Sequence, residues 1–157
     1  MKSKVMVLVG PPLSGKDTYL KSQDFSDFVI ISRDDILMSL HSNSDYSEAF
    51  SSVDQKLVDK LLNQKIQDCI TNNKNVIINM TNMTKKSRNK HLSKFPNVQY
   101  NKVAVVFPKL NLCDYINRND KRKSEENKFI PLNVIQSMIE NWQEVTLDEG
   151  FNTIIKI

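Results

Sequence analysis

The stretch Val5-Met6-Val7-Leu8-Val9-Gly10-Pro11-Pro12-Leu13-Ser14-Gly15-Lys16-Asp17-Thr18 decides how the rest of the chain is read. An apolar run makes a strand, a loop fenced by two glycines follows, and a lysine opens a helix. This is the Gly-four-spacers-Gly-Lys arrangement of a phosphate-binding loop. A buried strand delivers the chain to a turn whose backbone N–H groups converge on phosphate oxygens, and the helix adds the positive end of its dipole. Lys16 then places a mobile charge near the β- and γ-phosphates. The chain has only three glycines, and Gly10 and Gly15 are two of them. Glycine is costly where neither positive φ nor close backbone approach is needed, so their concentration here is informative. Gly10, Pro11, Pro12, Leu13, Ser14, Gly15, Lys16, Asp17 and Thr18 are therefore the candidate binding residues for a nucleoside triphosphate. The position after Lys16 ordinarily carries Ser or Thr to meet Mg²⁺; here it is Asp17. A carboxylate also holds Mg²⁺, which prefers oxygen ligands, so Asp17 is the candidate metal ligand.

Length and composition set the frame. A chain of 157 residues makes one domain with a real core. Cys69 and Cys113 lie far apart with no metal-ligand spacing, which fits a reducing compartment. The opening apolar run is too short for a signal or membrane segment, so a cytosolic protein without membrane partners is expected. Net charge is +4, unevenly distributed: Lys85 to Lys128 holds twelve Lys/Arg against four Asp/Glu. Such a block suits a polyanion, whether triphosphate or nucleic-acid backbone, or is a solvated lysine-rich face. Its aromatics, Phe95, Tyr100, Phe107 and Tyr115, fall in or beside the expected strand and helices and form no stacking array, which speaks against a simple nucleic-acid binder. Eighteen lysines against four arginines show that Lys supplies routine charge. Arg33, Arg88, Arg118 and Arg122 are then expected where a planar bidentate donor is needed.

Phe28-Val29-Ile30-Ile31, Val76-Ile77-Ile78, Tyr100 to Phe107 and Thr153 to Ile157 are the further strands. Helices are expected over about 16–21, 36–40, 53–70, 85–94, 110–117 and 132–145, with a loop over 41–52. The polar segment Arg118 to Lys128 shows no apolar face and reads as a mobile loop. Five strands alternating with helices call for a parallel sheet covered on both faces. In such sheets ligands bind beyond the carboxyl ends of the strands. Gly10–Lys16, Arg33-Asp34-Asp35 and Met80-Thr81-Asn82 all fall there.

Phosphoryl transfer needs positioning, charge neutralisation and a group to take the acceptor's proton. Asp34 is the candidate base; equally, Asp34, Asp35 or Ser32 could cap the next helix. His41, in a loop, and His91, among surface lysines, fit no role. Arg118 and Arg122, four apart, would face the same way on a helical turn, as a phosphate clamp requires, or belong to an inert basic loop.

Four segments taken together are more specific. Arg33-Asp34-Asp35, Thr81-Asn82, Arg118-Asn119-Asp120-Lys121-Arg122 and Ile130-Pro131-Leu132-Asn133-Val134-Ile135-Gln136-Ser137-Met138 resemble, in order and spacing, the kinase domain of phage-type 5′-polynucleotide kinases. The resemblance covers nearly the whole chain. It implies a nucleoside-monophosphate-kinase-like α/β fold, and transfer of the γ-phosphate of ATP, with Mg²⁺, to the 5′-OH end of DNA or RNA. By the match, Lys16 binds the ATP phosphates, Asp34 is the general base, and Arg118 and Arg122 act from a lid, Arg122 on the donor phosphates. Thr81, Ile130 and Pro131 line the acceptor passage, and Arg33, Asp35, Asn82 and Arg88 complete the acceptor side. Three positions depart from the family's pattern: Asp17 replaces Ser, Met80 replaces Asp before the Thr-Asn pair, and Leu37 replaces a basic residue after Asp34. Asp17 compensating for the carboxylate missing at Met80 would link the first two. No Asp-x-Asp nucleophile pair is present, so a kinase without 3′-end processing is expected. The rivals are a small-molecule kinase on the same fold, phosphorylating a nucleoside, nucleotide or sugar, and an ATP-binding module without transfer.

Overall fold

A computed structural model describes residues 1–40, 54–126 and 128–157. The expected loop over 41–52, His41 within it, and the proposed helix start at Val53 lie outside the described residues. Five parallel strands form one sheet in the order β2-β3-β1-β4-β5. They are β1 (Ser3–Val9), β2 (Phe28–Ile31), β3 (Asn75–Ile78), β4 (Tyr100–Val106) and β5 (Thr153–Lys156). The helices are α1 (Lys16–Ser22), α2 (Arg33–Ser39), α3 (Gln55–Thr71), α4 (Lys85–Leu92), α5 (Leu112–Glu126) and α6 (Leu132–Glu140). A 3₁₀ turn spans Leu147–Glu149.

The central strand is β1. It pairs with β4 along its whole length, from Ser3↔Tyr100 to Val9↔Val106, and with β3 from Val5↔Val76 to Val7↔Ile78. Side chains alternate across a strand, so β1 feeds two cores. Val5, Val7 and Val9 join Val76, Ile78 and Ala104 beneath α2, α3, α4 and α6. Met6 and Leu8 join Ile77, Val103, Val105 and Phe107 on the other face, beneath Tyr19 and Leu20 of α1. Each fully buried Val, Leu or Ile contributes about 1.5–3 kcal/mol, which fixes the sheet and with it the edge where the strands end.

Helix α2 begins earlier than the apolar pattern suggested, at Arg33. Ser32 is its N-cap, its hydroxyl accepting from Asp35 N at 3.3 Å. Asp34 and Asp35 therefore ride in the first turn, where acidic side chains suit the helix dipole. The larger correction concerns the segment after Asn117. Helix α5 runs unbroken to Glu126, so most of what read as a mobile loop is helical. Its anchors are Tyr115, whose hydroxyl accepts from Leu110 N at 3.2 Å, and Asn119, both buried.

Candidate active site

The loop is stitched to its surroundings by backbone. Gly10 N donates to Thr81 O at 3.0 Å, and Phe107 N to Val9 O at 2.9 Å. The two glycines are required for different reasons. A Cβ on Gly10 would lie 2.5 Å from Ser14 Oγ, so close approach demands glycine there. Gly15 has φ 102°, a left-handed conformation at the N-cap of α1 that side chains disfavour. Leu13 also has positive φ, 71°, a conformation that costs a residue with a side chain about 1–2 kcal/mol. Backbone strain held in a loop by its surroundings is a mark of functional segments.

Lys16 folds over this loop. Its Nζ donates to Gly10 O at 2.6 Å and to Pro11 O at 3.3 Å. Burial pushes the Lys16 ammonium down to about 8; Asp17 and Asp34 raise it and Arg122 lowers it further. Charges from α1, α2 and α5 thus act together on Lys16. Arg118 Nη1 donates to Leu13 O at 2.8 Å, which docks α5 against the loop. Arg122 pairs with Glu126 one turn on, at 3.6 Å. Asp17 is reached by Asn79 Nδ2 at 3.5 Å from the end of β3, a neighbour the sequence reading passed over. Thr18, also exposed, follows it on α1.

Two tests ask whether these residues suit a nucleotide and its metal. Ser14 Oγ is buried without a hydrogen-bond partner among the described residues. It sits at the glycine cradle, where a phosphate oxygen would satisfy it. No cluster of three His, Cys, Asp or Glu able to hold a metal occurs among the described residues. A lone carboxylate such as Asp17 fits Mg²⁺ carried in on phosphates and otherwise hydrated, not an all-protein cage. Both groups fit.

On the acceptor side the placements divide. Asp34, Asp35 and Pro131 are exposed, and Thr81 and Ile130 half-buried. Arg88 is a correction: it is 0% exposed and far from free to meet an acceptor. Its Nε and Nη2 donate to Glu149 at 2.7 and 3.2 Å, and Nη1 to Asn82 O and Met83 O at 2.9 and 3.2 Å. Nη2 also reaches Gln143 O and Glu144 O. Asn82 is likewise buried, with φ 50°, and donates to Leu8 O at 2.8 Å and Met80 O at 3.3 Å. It holds the turn instead of facing a ligand. Arg33 is tied to α3, through Gln55 at 2.8 Å and Asp59 at 3.0 Å. His91 is buried, not on the surface, and its Nδ1 has no partner among the described residues. Leu37 lies in the core and Met80 packs against it, so two positions charged in the resembled family are apolar contacts here.

A glycine-fenced loop between a central parallel strand and a helix, with its lysine on the loop and arginines above it, defines a P-loop α/β protein of the kinase type. The family model described as an AAA domain, AAA_33, matches residues 5–145, and the chain belongs to that family. No curated protein matches the sequence. Among solved structures, a chain of the Pnkp1/Rnl/Hen1 complex is 22% identical, with TM-score 0.57, over 74% of this chain and 39% of its own length. A chain of the PezAT toxin–antitoxin system of Streptococcus pneumoniae is 18% identical, with TM-score 0.66, over 99% of this chain and 66% of its own. A gluconokinase from Sinorhizobium meliloti is 11% identical, with TM-score 0.54, over 98% of this chain and 81% of its own. At these identities the likeness is one of fold, and this chain spans less than two thirds of the first two. No helix among the described residues is long and apolar enough to cross a membrane.

Proposed function

We propose that this protein is an ATP-dependent 5′-hydroxyl polynucleotide kinase that moves the γ-phosphate of ATP to the 5′-OH of a DNA or RNA end. The observation that carries the reading is the built loop: Lys16 Nζ lies on Gly10 O at 2.6 Å and Arg118 Nη1 docks α5 on Leu13 O at 2.8 Å, while the charges of Asp17, Asp34 and Arg122 act on Lys16. Because Ser32 supplies the α2 cap, the helix does not need the Asp34 carboxylate for that purpose. Asp34 takes the proton as the acceptor oxygen attacks in line. Gly10 to Lys16 hold the donor phosphates by backbone N–H groups and the Lys16 ammonium. Asp17 would hold a Mg²⁺ ion at those phosphates, which would neutralise charge on the transferring group. Arg118 and Arg122 place positive charge over the same phosphates, and Thr81, Ile130 and Pro131 border the acceptor.

A small-molecule kinase is the second reading, favoured by the fold shared with a gluconokinase. Incubation with γ-labelled ATP, Mg²⁺ and either a 5′-OH oligonucleotide, a nucleoside or gluconate separates the two. Label on the oligonucleotide is the predicted result. Label confined to a nucleoside or gluconate moves the assignment to small-molecule kinase.

A further inference from the structure

Phe129 is the exposed aromatic among the described residues, with 43% of its surface in water. A lone exposed apolar side chain needs no explanation; this one is held in place. Asn119, 3% exposed, donates from Nδ2 to Ile130 O at 2.6 Å and accepts from Ile130 N at 3.1 Å. One side-chain amide thus pairs with both backbone groups of the residue next to Phe129, as a neighbouring strand would. One turn further along α5, Lys123 sets its Nζ 5.2 Å from the centroid of the Phe129 ring. A ring fixed at the surface, with an ammonium against it by cation–π attraction, stands one residue before Ile130 and Pro131. The other lysine-capped aromatic, Trp142 under Lys109 at 5.1 Å, packs against the main core and is explained by that packing. Phe129 has no such account.

An aromatic face with a cation beside it is how single-stranded nucleic acid is gripped without sequence preference: a base stacks on the ring and the backbone phosphate meets the charge. Lys123 and Phe129 lie six residues apart in sequence, on and beyond the end of α5, and the fold brings them together. We propose that Phe129 is an acceptor-binding residue that stacks on a base within the first two nucleotides of a single-stranded acceptor end, with Lys123 against the adjoining phosphodiester. This rests on the polynucleotide kinase reading and deepens it. Lys121 and Lys123, both exposed, line the strand's further path.

The test compares wild type, Phe129→Ala and Phe129→Trp in two measurements. One is steady-state kinetics with a 5′-OH oligonucleotide; the other is anisotropy of the same oligonucleotide labelled at its 3′ end, without ATP. Phe129→Ala is expected to raise the oligonucleotide KM and Kd on the order of tenfold, to leave the KM for ATP unchanged, and Phe129→Trp to restore binding. An abasic nucleotide at the first or second position is expected to weaken wild type and to abolish the difference between wild type and Phe129→Ala at one of the two. Unchanged oligonucleotide KM in an active Phe129→Ala enzyme overturns the stacking role and leaves the kinase reading standing. Sensitivity to Phe129 that neither abasic position removes overturns it as well. A wild type that neither binds nor phosphorylates the oligonucleotide overturns both.

Discussion

Lys16 shows how one residue ties sequence to chemistry. Its ammonium is held by the Gly10 and Pro11 carbonyls and feels the charges of Asp17, Asp34 and Arg122. Replacing it by Met removes a donor aimed at the charge that develops on the transferring phosphate, a loss on the order of 10²–10³ in rate. Single-turnover phosphoryl transfer with saturating ATP measures it; a loss under tenfold contradicts the role. Asp17 allows a sharper statement. If its carboxylate replaces the one missing at Met80, Asp17→Ser raises the half-saturating Mg²⁺ concentration by about 10–100-fold. Asn79, next to Met80 in sequence, donates to Asp17 at 3.5 Å from the end of β3 and so brings Asp17 to that turn. A Mg²⁺ titration of activity that is identical for both proteins removes the idea.

At the scale of elements, the arginines carry the lesson. The scarcity of Arg pointed to places where a planar bidentate donor is needed, and Arg88 answers that description with a partner inside the fold. Its guanidinium forks onto Glu149 and binds the carbonyls of Asn82, Met83, Gln143 and Glu144, tying the turn after β3 to the segment before β5. Glu149 is 61 residues away in sequence, so nothing local could reveal the pair. Arg88→Ala leaves the nearly buried Glu149 carboxylate with only the Thr146 N–H and no counter-charge, and is predicted to cost about 3–5 kcal/mol, read by urea denaturation; a loss under 1 kcal/mol contradicts the hub. His91 on α4 was misread for the complementary reason: its lysine neighbours suggest a surface that the fold turns inward. Burial, with Lys94 and Lys90 adding to it and Asp59 opposing, lowers its pKa from 6.5 to about 4. Between those values the unfolded chain binds a proton that the folded chain refuses. Stability therefore falls as pH drops from about 6.5 to 4, by at most about 3 kcal/mol, and His91 adds no further loss below that. His91→Gln is predicted to flatten that part of the stability–pH curve; parallel curves for the two proteins contradict it. The second half of α5, beyond the expected helix over 110–117, escaped the sequence because its later buried position is Asn119, and hydrophobic periodicity does not register a buried amide.

At the scale of the molecule, the strand–helix alternation was legible because the central strands β1, β3 and β4 carry apolar runs buried on both faces, with shorter apolar runs in the edge strands β2 and β5. The site was legible where backbone chemistry demands particular residues, at Gly10, Gly15 and Lys16. It was less so where a residue's partner comes from a distant segment, as for Arg33, Arg88 and Asn82. The sheet order places β1 between β3 and β4, and so sets the loop beside Thr81 on one side and Phe107 on the other. Helix α5 docks on the loop and α2 leaves the same strand edge, and the central claim is that these elements act together to transfer phosphate with Asp34 as base. The direct measurement is single-turnover transfer from ATP to a 5′-OH oligonucleotide by wild type and Asp34→Asn, with ATP Kd measured on both. The account predicts a rate lower by about 10²–10⁴ in the variant, the range for a lost general base, with ATP affinity retained. Transfer by Asp34→Asn at the wild-type rate would contradict it.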